Sequence, residues 1–95
     1  MSNLIARRCY ISGRVQGVFY RASTRQKAVE LGCAGYACNL DDGRVEVLAV
    51  GETQAVQSLL DWLWRGSPGS DVKFVEVREI ALDDLGDVPV GVATR

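Results

Sequence analysis

The spacing of apolar residues changes along the chain, and each change predicts an element. Residues 8–13 place apolar Cys9 and Ile11 around Tyr10 and Ser12, then run into Gly13 and Gly17, as a strand ending in a tight loop does. Beyond Arg21 the period lengthens. Thr24, Ala28 and Leu31 recur at i, i+4 and i+7, with Arg25, Gln26, Lys27 and Glu30 on the other face. This predicts an amphipathic helix that starts near Tyr20 or Arg21 and stops at Gly32. Residues 36–40 and 44–50 read as two short strands around Asp41-Asp42-Gly43, where Asp-Gly signals a hairpin. The second strand sets Val45, Val47 and Ala49 on one face. Val56, Leu59, Leu60 and Leu63 then repeat at helical spacing between a Thr53 cap and Gly66, flanked by Trp62 and Trp64. Ser67-Pro68-Gly69-Ser70 breaks the pattern, and residues 72–80 return to extended, β-branched character.

Strand, helix, strand, strand, helix, strand is the order of a ferredoxin-like βαββαβ sandwich. In this α+β class both helices cover one face of a single, mostly antiparallel sheet. The remaining residues, with Asp83, Asp84, Gly86, Asp87 and Pro89, read as a loop leading to a short fifth strand at residues 90–94.

Composition narrows the chemistry. The sequence has 95 residues, 47% apolar and 24% charged, which suits one domain over residues 1–95. Its 11 basic and 12 acidic side chains nearly cancel, so no long-range field collects nucleic acid or an anionic membrane, and any anion must be held locally. No apolar run resembles a signal peptide or a membrane span, so the expected compartment is the cytoplasm. Cys9, Cys33 and Cys38 are odd in number and lack C-x-x-C spacing, which fits free thiols rather than a disulfide framework or a zinc site. With no histidine in the chain, histidine triads and dyads are excluded. The expectation is a site without metal or cofactor.

The chemical signal lies in Gly-Arg-Val-Gln-Gly-Val-Phe-Tyr-Arg, residues 13–21, which joins the first strand to the first helix. Backbone N–H groups can converge there because glycine relaxes the steric limits, and a helix N-terminus adds roughly 0.3–1 kcal/mol for a negative group. A charge-assisted hydrogen bond contributes about 1.5–3 kcal/mol where water is excluded, so four or five could hold a phosphoryl group. Arg21 adds a planar fork matching two phosphoryl oxygens. The loop has neither the Gly-Lys-Ser/Thr ending of a nucleotide P-loop nor a full G-x-G-x-x-G. Taken alone, an arginine in a first helical turn is more often solvated or ion-paired, and Asn39 beside Asp41-Asp42-Gly43 reads as a turn residue.

Together, residues 13–21 and the run GYACNLDDGRVEVLAVG at 35–51 resemble the two signature segments of the acylphosphatase family, in its order and separation. The resemblance continues in register over about residues 8–80, including the Gly32 helix stop, Trp62-Leu63 and the return from Gly66 to Val77. It implies a phosphate cradle on the backbone of Gln16, Gly17, Val18, Phe19 and Tyr20, a phosphate-binding Arg21 and a water-positioning Asn39, with Gly13, Gly17 and Gly43 at the family's glycine positions. The implied substrate is a small acyl phosphate. Its leaving carboxylate has an acid pKa of roughly 4, so departure needs no general acid and the missing histidine matters little. Phosphoryl transfer then rests on in-line positioning and charge neutralisation.

Three positions depart from the family pattern. Tyr20 stands where phenylalanine is more frequent, which brings a hydroxyl near the cradle; Cys38 precedes Asn39 where a longer polar side chain is usual; and residues 89–95, PVGVATR, lack the customary aromatic of the last strand. A non-catalytic anion-binding module on the same scaffold is the alternative reading. A ferredoxin-like RNA-binding domain is disfavoured for want of an aromatic platform and a basic surface. An interaction domain built on Trp62 and Trp64 is a further rival, against which the simpler account packs one tryptophan under the helix and leaves one at its rim. The expected state is a monomer that binds neither nucleic acid nor membrane.

Overall fold

The computed structural model describes residues 3–85 and the backbone of Val92–Thr94. Its elements are β1 (Leu4–Arg14), α1 (Tyr20–Leu31), β2 (Ala34–Asn39), β3 (Val45–Glu52), α2 (Thr53–Arg65) and β4 (Asp71–Ile80), the βαββαβ order expected. The sheet runs β4-β1-β3-β2 with every neighbouring pair antiparallel. Outside β2, the backbone of Val92–Thr94 pairs in parallel with residues 35–37. Val90 and Gly91 of the expected last strand, and Gly86, Asp87 and Pro89 before it, lie outside the described residues. No helix among the described residues is long and apolar enough to cross a membrane.

Topology decides where chemistry can gather. Both β1 and β2 run antiparallel to β3, so they are parallel to each other and leave the sheet at the same end. The helix that joins them must start at that end to cross back. The β1–α1 loop, the N-terminus of α1 and the last residue of β2 therefore meet.

The alternation read from the sequence is the burial pattern. Cys9, Ile11, Ala37, Val45, Val47, Ala49 and Val75 are buried against Ala28 of α1 and Val56, Leu59 and Leu63 of α2. Each fully buried Val, Leu or Ile side chain contributes about 1.5–3 kcal/mol. Thr24, a polar member of the α1 stripe, is also buried, its hydroxyl donating to the Tyr20 carbonyl one turn back at 2.8 Å. Helix α1 ends in a Schellman motif: Gly32 is left-handed and its N–H donates to Val29, while the Cys33 N–H donates to Ala28.

The face of the sheet away from the helices is polar. The Arg44 and Arg78 guanidiniums lie over the Tyr10 ring at 5.0 and 4.9 Å, and the Tyr36 hydroxyl donates to the Glu46 carboxylate. Two aromatics thus stand where an RNA-binding sheet would have its platform, but both are engaged by this chain's own charged groups.

Two local expectations change. β1 begins at Leu4 rather than near Arg8, because pairing with β3 on one side and β4 on the other stabilises a stretch whose alternation is weak. The cap position of α2 falls on Glu52, without a side-chain cap bond, and the Thr53 hydroxyl instead donates to the Asn3 carbonyl at 3.0 Å.

Burial pushes the Cys9 thiol from its ordinary 9.0 up to about 12, against a smaller opposing pull from Arg7. Burial also raises the Tyr20 hydroxyl above its usual range. Above pH 9 the unfolded chain therefore loses these protons first. The Cys9 contribution to stability is complete below the unfolded value and is lost as pH rises from about 9 toward 12, and that of Tyr20 begins to fall above its ordinary 10.0. Urea unfolding between pH 7 and 11 should show stability falling above pH 9, with a shallower fall in Cys9→Ala. Identical slopes in the two proteins would contradict the assignment.

Candidate active site

The loop begins where β1 can no longer pair evenly. The β1–β4 register shifts between Ser12 and Gly13, and a Cβ on Gly13 would sit 2.2 Å from the Asp71 carbonyl oxygen. Only glycine lets the strands approach so closely. Val15 is buried and anchors the loop's start in the core. The chain then turns through two left-handed residues, Gly17 at φ 74° and Phe19 at φ 59°, before α1 starts at Tyr20. For glycine this conformation is easy, whereas for a residue with a Cβ it costs roughly 1–2 kcal/mol. The first bond of the helix runs from the Ser23 N–H to the Phe19 carbonyl at 2.9 Å. The first turn of α1 thereby presents the positive end of the helix dipole to the loop. No acidic side chain in the first turn opposes it.

Three side chains hold this loop in place. The Ser67 hydroxyl, in the α2–β4 connection, donates to the Val18 carbonyl at 2.8 Å. In a planar trans peptide the C=O and the following N–H point in opposite directions, so this bond aims the Phe19 N–H away from Ser67. Ser67 is held in turn by a turn in which both the N–H and the hydroxyl of Ser70 donate to its carbonyl, at 2.9 and 2.7 Å. Gln16 Nε2 donates to the carbonyls of Leu40 at 2.8 Å and Arg44 at 2.9 Å. The same two oxygens close the β2–β3 hairpin, accepting from the N–H groups of Gly43 and Leu40 respectively. One amide group thereby fastens the loop to the hairpin that carries Asn39. Lastly, the Tyr20 hydroxyl donates to the Leu63 carbonyl at 2.7 Å, and its ring packs on Trp62 at 5.8 Å.

Asn39 ends β2 opposite Val45, in the cross-strand row that continues through Ile11 to Val75. It therefore lies on the helix-facing side of the sheet, while Cys38, opposite Glu46, belongs to the other face. Val15, Gly17, Phe19, Tyr20, Arg21, Ala22 and Asn39 line one recess of about 450 Å³. Arg21 and Asn39, 18 positions apart in sequence, share it. Residues 40–44 connect β2 to β3, and the Leu40 N–H donating to the Arg44 carbonyl at 2.8 Å closes the turn around Asp41-Asp42-Gly43. The Asp42 carboxylate accepts from the Arg44 backbone at 3.1 Å and from Arg44 Nε at 2.8 Å, which holds its pKa below the usual value.

The sequence-based assignments hold different places in this geometry. Gly17, Phe19, Tyr20, Arg21 and Asn39 line the recess. Gln16 and Val18 do not, and their side chains face elsewhere: that of Gln16 toward the hairpin and that of Val18 toward Gly69. The Tyr20 hydroxyl, expected near the cradle, is buried on α2 instead, because Leu63 offers a carbonyl acceptor inside the core. Ser67 was not singled out from the sequence. Its surroundings read only as a break, and nothing local indicates that its hydroxyl reaches a loop 49 positions away.

A ferredoxin-like sandwich with a loop and helix N-terminus open to an anion, and with an arginine and an asparagine on the same recess, defines a class of small anion-handling α+β domain. Comparison with known proteins makes the class specific. The family description "Acylphosphatase" matches residues 7–86. An acylphosphatase of Nitrosococcus oceani is 52% identical over 83 residues, covering 82% of this chain and 93% of its own. A solved acylphosphatase structure from Coxiella burnetii superposes with a TM-score of 0.87 at 39% identity, covering 98% of this chain and 94% of that one. The acylphosphatase structure from Bacillus subtilis gives 0.86 at 35% identity, with 96% and 98% covered. The chain belongs to the acylphosphatase family.

Ser67→Ala should weaken competitive inhibition by inorganic phosphate several-fold and lower the unfolding free energy by about 1–2 kcal/mol, the effect of a buried hydrogen bond removed from one side. Ser70→Ala, which removes a second donor from a carbonyl that keeps its first, should cost stability and leave the phosphate inhibition constant within about twofold. Equal inhibition constants in Ser67→Ala and wild type would refute the positioning role.

Proposed function

We propose that this acylphosphatase hydrolyses the carboxyl-phosphate bond of acyl phosphates by holding the phosphoryl group on the backbone of residues 16–20 and on Arg21, while Asn39 positions the attacking water. The observation that carries this reading is the single recess shared by Gly17, Phe19, Tyr20, Arg21 and Asn39. Two phosphoryl oxygens accept from the Arg21 guanidinium, whose planar fork fits them better than a lysine would. The third accepts from loop and helix N–H groups, which also reach the outer lone pairs of the first two. Their orientation is set before substrate arrives, so little reorganisation opposes the accumulation of charge in the transition state.

Water attacks phosphorus in line with the departing acyl oxygen. The P–O bond to the acyl group breaks, its electron pair leaves with the carboxylate, and the water oxygen remains on phosphate. The carboxylate is a weak base, with an acid pKa of roughly 4, so it leaves unprotonated. Asparagine is too weak a base to take the water's proton and serves by orientation, with the substrate's phosphoryl oxygen as the acceptor within reach. Neither a divalent ion nor a cofactor enters this scheme, in which the enzyme works as a cytoplasmic monomer on a small-molecule substrate.

Benzoyl phosphate hydrolysis in EDTA tests the scheme. Wild type should turn over. Arg21→Ala should lose on the order of 10²–10⁴-fold in kcat/KM, as expected for two charge-assisted bonds, together with its phosphate inhibition. Asn39→Ala should lose on the order of 10²-fold in kcat and keep phosphate inhibition, since only the water is misplaced. Near wild-type turnover in Asn39→Ala would refute its role. A folded wild type that binds phosphate without turnover would make the domain an anion-binding module.

A further inference from the structure

The phosphoryl group accounts for the polar part of the recess and leaves its apolar part unassigned. Phe19 lines the recess and is 82% exposed, more than any other large apolar side chain among the described residues. Its backbone adopts a left-handed conformation, φ 59° and ψ 23°, the one non-glycine residue with positive φ among those described. Such a residue holds a ring out in solvent at a conformational cost, although glycine at that position would satisfy the turn without strain. Its carbonyl accepts the first helical bond and Ser67 ties the peptide that precedes it, so the point from which the ring projects is fixed on both sides. Ala22, one turn along α1, also lines the recess and is itself exposed. Being small, it leaves that side of the ring uncovered.

Resting on the proposed phosphoryl site, the geometry has a consequence for the other half of the substrate. Three phosphoryl oxygens are directed to the loop, the helix end and Arg21, so the bond to the acyl group points toward the mouth of the recess. The acyl group then passes the rim formed by Phe19 and Ala22. We propose that Phe19 is a specificity-determining residue that reads the acyl group, favouring acyl phosphates whose acyl part presents a flat aromatic or extended apolar surface over those with a short aliphatic one. An offset or edge-on ring contact supplies the preference, and the fixed backbone of Phe19 limits the ordering needed on binding.

The test is the ratio of kcat/KM for benzoyl phosphate to that for acetyl phosphate, measured in wild type, Phe19→Leu, Phe19→Ala and Phe19→Trp, each confirmed folded by circular dichroism. A change in the phosphate cradle affects both substrates and cancels from the ratio, whereas loss of the acyl contact does not. The ratio should fall about three- to tenfold in Phe19→Ala, fall less in Phe19→Leu, and equal or exceed the wild-type value in Phe19→Trp. Competitive inhibition supplies a readout without turnover: benzylphosphonate should lose affinity in Phe19→Ala by the same factor relative to methylphosphonate. Ratios within twofold of wild type across the series, or a phosphonate pair unaffected by the substitution, would overturn the role of Phe19. Absence of turnover for both acyl phosphates in wild type would instead overturn the hydrolytic scheme.

Discussion

An N–H group helps bind an anion only if its peptide plane faces the anion, and in a short loop that orientation has to be imposed from outside. Here the control is exerted largely from the opposite side of the backbone. Ser67 takes the Val18 carbonyl and thereby directs the next N–H, while the Phe19 carbonyl is committed to the first bond of α1. Gln16 acts differently, spending its side-chain amide on the hairpin and locking two separate segments together. The loop is consequently a preorganised surface, assembled from peptide groups that carry no net charge. In the proposed scheme Arg21 beside it provides the formal charge.

The fold supplies the meeting point. Because β3 lies between β1 and β2, a connection that must cross over the sheet returns α1 to the end where Asn39 stands. The row from Val75 through Ile11 and Val45 to Asn39 makes the change from buried core to solvent over a single sheet width. Tyr20 strengthens the junction from below, with its ring in the core and its hydroxyl on the last turn of α2. The three supports of the loop thus come from three places: the hairpin, the α2–β4 turn and the second helix. Substitutions in any of them reach the site without touching a ligand.

Among the described residues, backbone strain is concentrated at one non-glycine position. Phe19 occupies a conformation that most residues avoid, and its neighbours on either side restrain it through bonds to backbone oxygens. An exposed apolar side chain is ordinary on any protein surface; one that is both strained and seated on the rim of the recess is not. The opposite face of the sheet shows the contrasting arrangement, in which Tyr10 and Tyr36 are covered or bonded by arginines and Glu46.

Much of the architecture was legible in the pattern of residues. Period-two and period-3.6 burial, the Gly32 stop and the Asp-Gly hairpin are local consequences of side-chain size, polarity and backbone freedom, so the sequence by itself determined the element order and the buried faces of β1, α1, β3 and α2. The same holds for the identity of the loop, since its glycines and Arg21 lie within one nine-residue segment. The outer limits of β1 escaped because pairing on two sides, rather than alternation, stabilises them. The tertiary structure alone decided that Asn39 shares a recess with Arg21, that Gln16 binds the hairpin, that the Tyr20 hydroxyl turns inward and that Ser67 orients the loop. These placements join residues 18 to 49 positions apart, and three-dimensional placement, which no local propensity encodes, sets both the shared recess and the direction of the hydrogen bonds.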